Sequence, residues 1–222
     1  MRSLPLPLAL TARLSPVVVL AAAGWALTSG PPAAPPAAAH KPAEGKTRTQ
    51  TASAPSTSAE SRTYTAAPAP CDSVAKKTVE SLVPGAKTAG KEIPSTDAQV
   101  RRTCSWNALK GYDYRWLDVS FEILASDEAA AASYRSATAK RSGGGAVPGL
   151  GDGAYSVVNL TTEDEQQTRE GVVVARASNA LVTVTYNGSD FESKKAPDTD
   201  TVNRGAIKAA KEAVAALEAG ED

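Results

Sequence analysis

Between Arg115 and Leu124 the chain alternates. Leu117, Val119, Phe121 and Ile123 fall on one side of an extended backbone, and Asp118, Ser120 and Glu122 on the other. That period of two predicts a strand with one buried face. The same reading gives strands at Val100–Trp106, Ala154–Leu160, Gly171–Ala177 and Leu181–Tyr186. The last two are joined by Ser178-Asn179-Ala180, a hairpin turn in which Asn179 is expected to take a positive φ. Helical spacing appears three times. Over 73–83, Ala75, Val79, Leu82 and Val83 make an apolar stripe that Asp72 or Ser73 caps and Pro84-Gly85 stops. A second helix follows Ser126, with Asp127 and Glu128 in its first turn and Ala130, Tyr134 and Ala137 inward. The third, Thr201–Ala219, presents Ala206, Ala210, Ala213, Val214 and Leu217, with Ile207 beside them. The order α-β-β-α-β-β-β-α with short connections predicts an α+β domain, an antiparallel sheet with helices packed on one face.

Upstream the pattern changes twice. Leu14–Thr28 is an apolar run preceded by Arg2 and Arg13. As a helix at ~1.5 Å per residue it spans ~22 Å, short of a ~30 Å hydrocarbon core. It reads as the hydrophobic region of a signal peptide, or, extended back to Leu4, as an uncleaved signal anchor. Residues 1–28 are therefore the membrane-contacting segment, and the rest is expected outside, either anchored or secreted. Residues 29–70 hold one aromatic, Tyr64, and no Leu, Ile, Val or Phe. Such a stretch buries too little apolar surface to offset its ordering entropy, so it is expected to be a disordered Pro/Ala/Ser/Thr-rich linker. This leaves 71–220 as the folded domain.

Charge and chemistry narrow the function. The chain has 24 basic and 24 acidic residues, but 1–70 holds six of the former and only two of the latter. The domain is mildly acidic, which argues against nucleic acid as a partner. Its neighbouring Arg101 and Arg102 point to opposite faces of a strand and make no basic patch. The only cysteines, Cys71 and Cys104, would close a 33-residue loop. In an exported chain an internal disulfide is the favoured state, contributing at most roughly 3.5–4 kcal/mol, with free thiols or an interchain bond as alternatives. The single histidine, His40, lies in the linker, which removes histidine-based catalysis, proton shuttling and zinc ligation from the domain. No metal, cofactor or catalytic residue is assigned.

Other motifs reduce to structure. Ser73-Val74-Ala75-Lys76 matches Ser-x-x-Lys, but Lys87-Thr88-Ala89-Gly90 follows too closely to serve as the second motif of that enzyme class. Gly143-Gly144-Gly145 and Gly149-x-Gly151-x-Gly153 follow a helix and open a strand, the reverse of a phosphate loop. Glu163-Asp164-Glu165 and Asp198-x-Asp200 lack the spacing of a calcium loop. Asn159-Leu160-Thr161 and Asn187-Gly188-Ser189 are glycosylation sequons, meaningful in a glycosylating host. Trp106, Tyr112, Tyr114 and Trp116 concentrate four aromatics in eleven residues. They read as core and cross-strand packing, or as an exposed face for a lipid, glycan or protein. They are the candidate binding residues.

Ala69-Pro70-Cys71, Cys104-Ser105-Trp106, the turn Val147-Pro148-Gly149-Leu150-Gly151-Asp152-Gly153-Ala154, and the segments Val172–Arg176 and Leu181–Tyr186 together resemble a domain-of-unknown-function family of actinobacterial envelope lipoproteins, over about 70–219. The resemblance implies an exported α+β domain akin to PsbP-like folds, with a Cys–Cys bridge and no established activity. This chain departs from it in lacking a lipidated cysteine after the apolar run. The expected function is a non-enzymatic envelope module that binds a partner protein or cell-wall polymer. A small-molecule or lipid carrier with a pocket between sheet and helix is the alternative, and an enzyme using carboxylates or lysine is a third. A reporter fused after Asp222 is expected to be active only outside the cytoplasm; activity inside would remove the basis for an exported domain.

Overall fold

The computed structural model describes residues 64–220. The apolar run Leu14–Thr28 and linker positions 29–63 lie outside the described residues, among which no helix is long and apolar enough to cross a membrane. After a 3-10 turn at Pro70–Asp72 come α1 (Lys76–Leu82), β1 (Lys91–Ile93), β2 (Arg101–Lys110) and β3 (Asp113–Ile123). Then follow α2 (Asp127–Ala139), β4 (Gly145–Ala146), β5 (Gly153–Glu163), β6 (Gln166–Ala177), β7 (Ala180–Asp190) and α3 (Thr199–Ala219). The seven strands form one antiparallel sheet in the order β1-β2-β3-β7-β6-β5-β4. The fold is α+β, as the pattern predicts, with two short edge strands added.

One face of the sheet is the core. Leu117, Val119, Phe121 and Ile123 of β3 lie opposite Tyr186, Val184, Val182 and Ala180 of β7, and all eight are buried. α3 covers them with Val202, Ala206, Ala209, Ala210, Ala213, Val214 and Leu217, and α1 adds Val79 and Leu82. Small side chains let α3 approach closely. A Cβ on Gly205 would sit 2.8 Å from the Tyr186 ring, which is itself fixed by its hydroxyl donating to the Leu82 carbonyl at 2.8 Å. The helix propensity an alanine would add, about 1 kcal/mol, is outweighed there by overpacking of about 1–3.

The helices do not share one face. Tyr134 and Ala137 of α2 pack with Val157, Val172, Val174 and Tyr155, whose side chains alternate with core residues and so occupy the outer face. The signal is in β6: Gly171-Val172-Val173-Val174-Ala175 is a continuous apolar run, the mark of a strand covered on both sides.

Helix starts also differ from expectation. Ser126 caps α2 by accepting from the Ala129 N–H, and Asp198 caps α3 by accepting from the Thr201 N–H. Neither Asp72 nor Ser73 caps α1. Ser73 is buried and donates to the Pro70 carbonyl, and α1 begins only after Ala75. The Glu212 carboxylate of α3 instead accepts from the Ala75 N–H at 2.9 Å and the Thr78 hydroxyl at 2.7 Å. A long-range carboxylate replaces the local cap.

At the β6–β7 turn Ser178, not Asn179, takes the positive φ, 50°. Asn179 is fully buried, and its carboxamide accepts from the Tyr64 N–H while donating to the Tyr64 and Leu124 carbonyls. Its side chain thus acts as a peptide group pairing with the incoming chain. Tyr64, Ala67 and Pro70 are buried, and the Ala67 N–H donates to the Gln99 carbonyl. The packed body therefore begins by Tyr64 rather than at Cys71. Cys71 and Cys104 are bonded, with Cα atoms 5.1 Å apart, tying this N-terminal segment to β2.

A chain starting at Cys71 is expected to be less stable than one starting at Tyr64. Asn179 would lose two of its three partners in a buried site, at about 1–3 kcal/mol per unmet group. Denaturant midpoints compared between the two chains check this, and equal midpoints would refute the role given to Asn179.

Candidate functional site

Because α2 packs mainly on the β5–β6 side of the outer face and meets β7 less, the part carried by β2, β3 and much of β7 has no helix over it. Its rows follow from the register. Trp116 lies between Asn107 and Asn187, Asp118 between Ser105 and Thr185, and Ser120 between Thr103 and Thr183. All but Ser105 are half-buried or exposed. This is a polar, largely hydroxyl and amide surface, with one tryptophan in it.

The four candidate aromatics are divided by the pleat. Trp106 points to the core, 2% exposed, with its indole N–H donating to the Thr88 carbonyl at 3.0 Å. Tyr112 sits in the β2–β3 turn, largely exposed. Tyr114 and Trp116 lie on the outer face with ring centroids 6.3 Å apart, edge to face. Tyr114 also meets Phe191 at 6.0 Å. Phe191 follows β7, is 49% exposed, and is held by its N–H donating to the Tyr112 carbonyl. Leu109, 57% exposed, lies directly across from Tyr114. The result is an aromatic corner made of Leu109, Tyr112, Tyr114, Trp116 and Phe191. Sequence reasoning missed Phe191 because its approach is made by the β3–β7 pairing, some eighty residues from the aromatic cluster.

The corner is polarised. The Trp116 indole N–H donates to the Asp118 carboxylate at 2.6 Å, fixing both side chains. The Tyr114 hydroxyl pKa is pushed up, first by its burial and then by the Asp118 charge. Glu170, half-buried on the outer face of β6, lies across from Asn187. Neither Asp118 nor Glu170 belongs to an ion pair, whereas Arg101 is paired with Glu122 and Arg176 with Asp152. Ser105 is 8% exposed, points to this face, and its hydroxyl has no hydrogen-bond partner. Beneath the corner, on the core side, Arg115 pairs with Asp113 and lies across Gly188.

At the other end of the same face, the 94–100 loop leaves a groove of about 430 Å³ lined by Ile93, Val100, Thr103, Arg101 and Glu122, among others. Ile93 and Val100 are partly exposed apolar side chains. The remaining motifs are structural here. Lys76 is exposed while Ser73 is engaged with Pro70. Gly151, at φ 55°, makes a turn so tight that a Cβ would strike the Arg176 carbonyl. Asp164 and Glu165 are the two positive-φ residues of the β5–β6 turn. Among the described residues no group of His, Cys, Asp and Glu is arranged to hold a metal ion.

No family model matches the chain, and no curated protein matches it. A solved structure from Bacteroides thetaiotaomicron VPI-5482 is similar over 50% of this chain and 50% of its own, at 9% identity and a TM-score of 0.28. The chain thus spans half the length of that protein, and the likeness is too slight to carry an argument.

The two classes of aromatic separate by stability. Phe191→Ala is expected to change the unfolding free energy by no more than about 0.5 kcal/mol, as for exposed positions, whereas Trp106→Ala should cost about 3–5. Chemical denaturation of the two variants checks it; a large loss in Phe191→Ala would make the corner a packing element.

Proposed function

We propose that the protein is a non-enzymatic module of the cell envelope, working outside the cytoplasm and binding a wall polymer or an envelope protein through its aromatic corner. The observation that carries this reading is the group in which the exposed Leu109, Tyr112 and Phe191 surround the half-buried Tyr114 and Trp116 at the rim of a polar sheet face. Clustered exposed aromatics beside fixed polar groups are a recognition surface rather than a solvated one. The Cys71–Cys104 bond supports an oxidising compartment. It also joins the two cysteines on which the resemblance to the actinobacterial envelope family, and through it to PsbP-like folds, partly rests. The arrangement of the two ends fits a tethered module. Tyr64 enters beside Asn179, at the C-terminal end of β3, and the corner lies at the N-terminal end. At ~3.4 Å per residue the separation is about 30 Å.

A carrier, expected with its pocket between sheet and helix, would instead have to use the groove of about 430 Å³ under the 94–100 loop. The contact between sheet and α3 is filled by buried alanines and Gly205.

The test is retention on insoluble envelope material. The full chain is expected to co-sediment with it, and a variant carrying Tyr114→Ala, Trp116→Ala and Phe191→Ala is expected to remain in solution while keeping its fold. Retention that survives the triple change would overturn the reading.

A further inference from the structure

Resting on the wall-polymer reading of the same corner, we infer that its ligand is a glycan carrying free amino groups. Charge complementarity carries the argument. On the outer face of β2, β3, β6 and β7, Arg101 and Arg176 are neutralised by Glu122 and Asp152. The carboxylates of Asp118 and Glu170 belong to no ion pair: Glu170 ends the Trp116–Asn187 row on β6, and Asp118 lies in the adjoining row on β3, which runs through Ser105 to the exposed Lys91 of β1. Phosphate- or carboxylate-rich polymers meet like charge there. Separate ammonium groups of one polymer can meet the two carboxylates, the one at Asp118 beside the Trp116 ring, where charge and an aromatic face both attract a cation.

Two further features select a sugar over a cationic peptide. The surface next to the rings is a field of hydroxyls and amides, Thr103, Asn107, Ser120, Thr183, Thr185 and Asn187, which matches the alternating donors and acceptors of a polyol. Within that field the buried Ser105 hydroxyl has no protein partner. Its oxygen is covered by neighbouring side chains, so the site gains from a ligand hydroxyl that shifts them aside and satisfies it.

Titration of the full chain with a glucosamine oligomer, its N-acetylated counterpart and oligolysine tests the inference, with the Trp116 indole N–H resonance as the reporter. The glucosamine oligomer is expected to shift that resonance at lower concentration than the other two, and to lose affinity as pH rises through its own amine pKa. Asp118→Asn keeps an acceptor for the indole, and Glu170→Gln keeps the shape of its side chain. Each is expected to weaken the amino-glycan by about tenfold while leaving the N-acetylated oligomer unchanged. If the N-acetylated oligomer binds as well or better, the inference fails while the wall-polymer reading stands. If oligolysine binds as well, the site selects charge alone and the inference fails. If no glycan moves Trp116, both fail.

Discussion

The pairing of β3 with β7 is the constraint on which the rest depends. Two hairpin systems distant in sequence, β2–β3 and β5–β6–β7, become one sheet only through this ladder of eleven residue pairs, from Asp113 opposite Asp190 to Ile123 opposite Ala180. It builds the core by setting four apolar residues of β3 against four of β7. It also builds the surface, because the same register places Trp116 beside Asn187, Asp118 beside Thr185, and the Tyr114 row within reach of Phe191. A slip of one residue would turn every one of these side chains to the opposite face. Core and candidate site are therefore two sides of one alignment.

Much of this was legible in the sequence where a local rule was sufficient. The alternation in β3, the Ser126 start of α2 and the alanine stripe of α3 each report a single element, and the structure keeps them. What was not legible depends on partners far along the chain. The start of α1 could not be read from Asp72 or Ser73 because the group that meets it is Glu212. The turn residue at β6–β7 could not be read from Asn179 because its carboxamide is taken by Tyr64. One miss was avoidable: the unbroken apolar run of β6 already implied cover on both faces, and hence a helix on each side of the sheet.

The candidate site was legible in its composition and not in its geometry. Four aromatics in eleven residues marked the segment, but the pleat sends Trp106 to the core while Tyr114 and Trp116 go to the outer face. Which face stays open depends on where α2 lies, and nothing within β2 or β3 encodes that. The pairing of Trp116 with Asp118 is a local i, i+2 relation on one face of a strand, and in retrospect it is the one polar contact of the corner that spacing alone could suggest.

The position of Tyr64 at one end of the strands and of the corner at the other has a mechanical consequence. A load between the two runs parallel to β3 and β7, so it bears on the ladder's hydrogen bonds together, in shear, rather than parting them in turn. The Cys71–Cys104 bond adds a covalent shunt, passing force from the N-terminal segment directly into β2. Resistance to pulling is governed by the rate of unfolding rather than by equilibrium stability. In this geometry the small domain would hold under tension better than its modest core suggests.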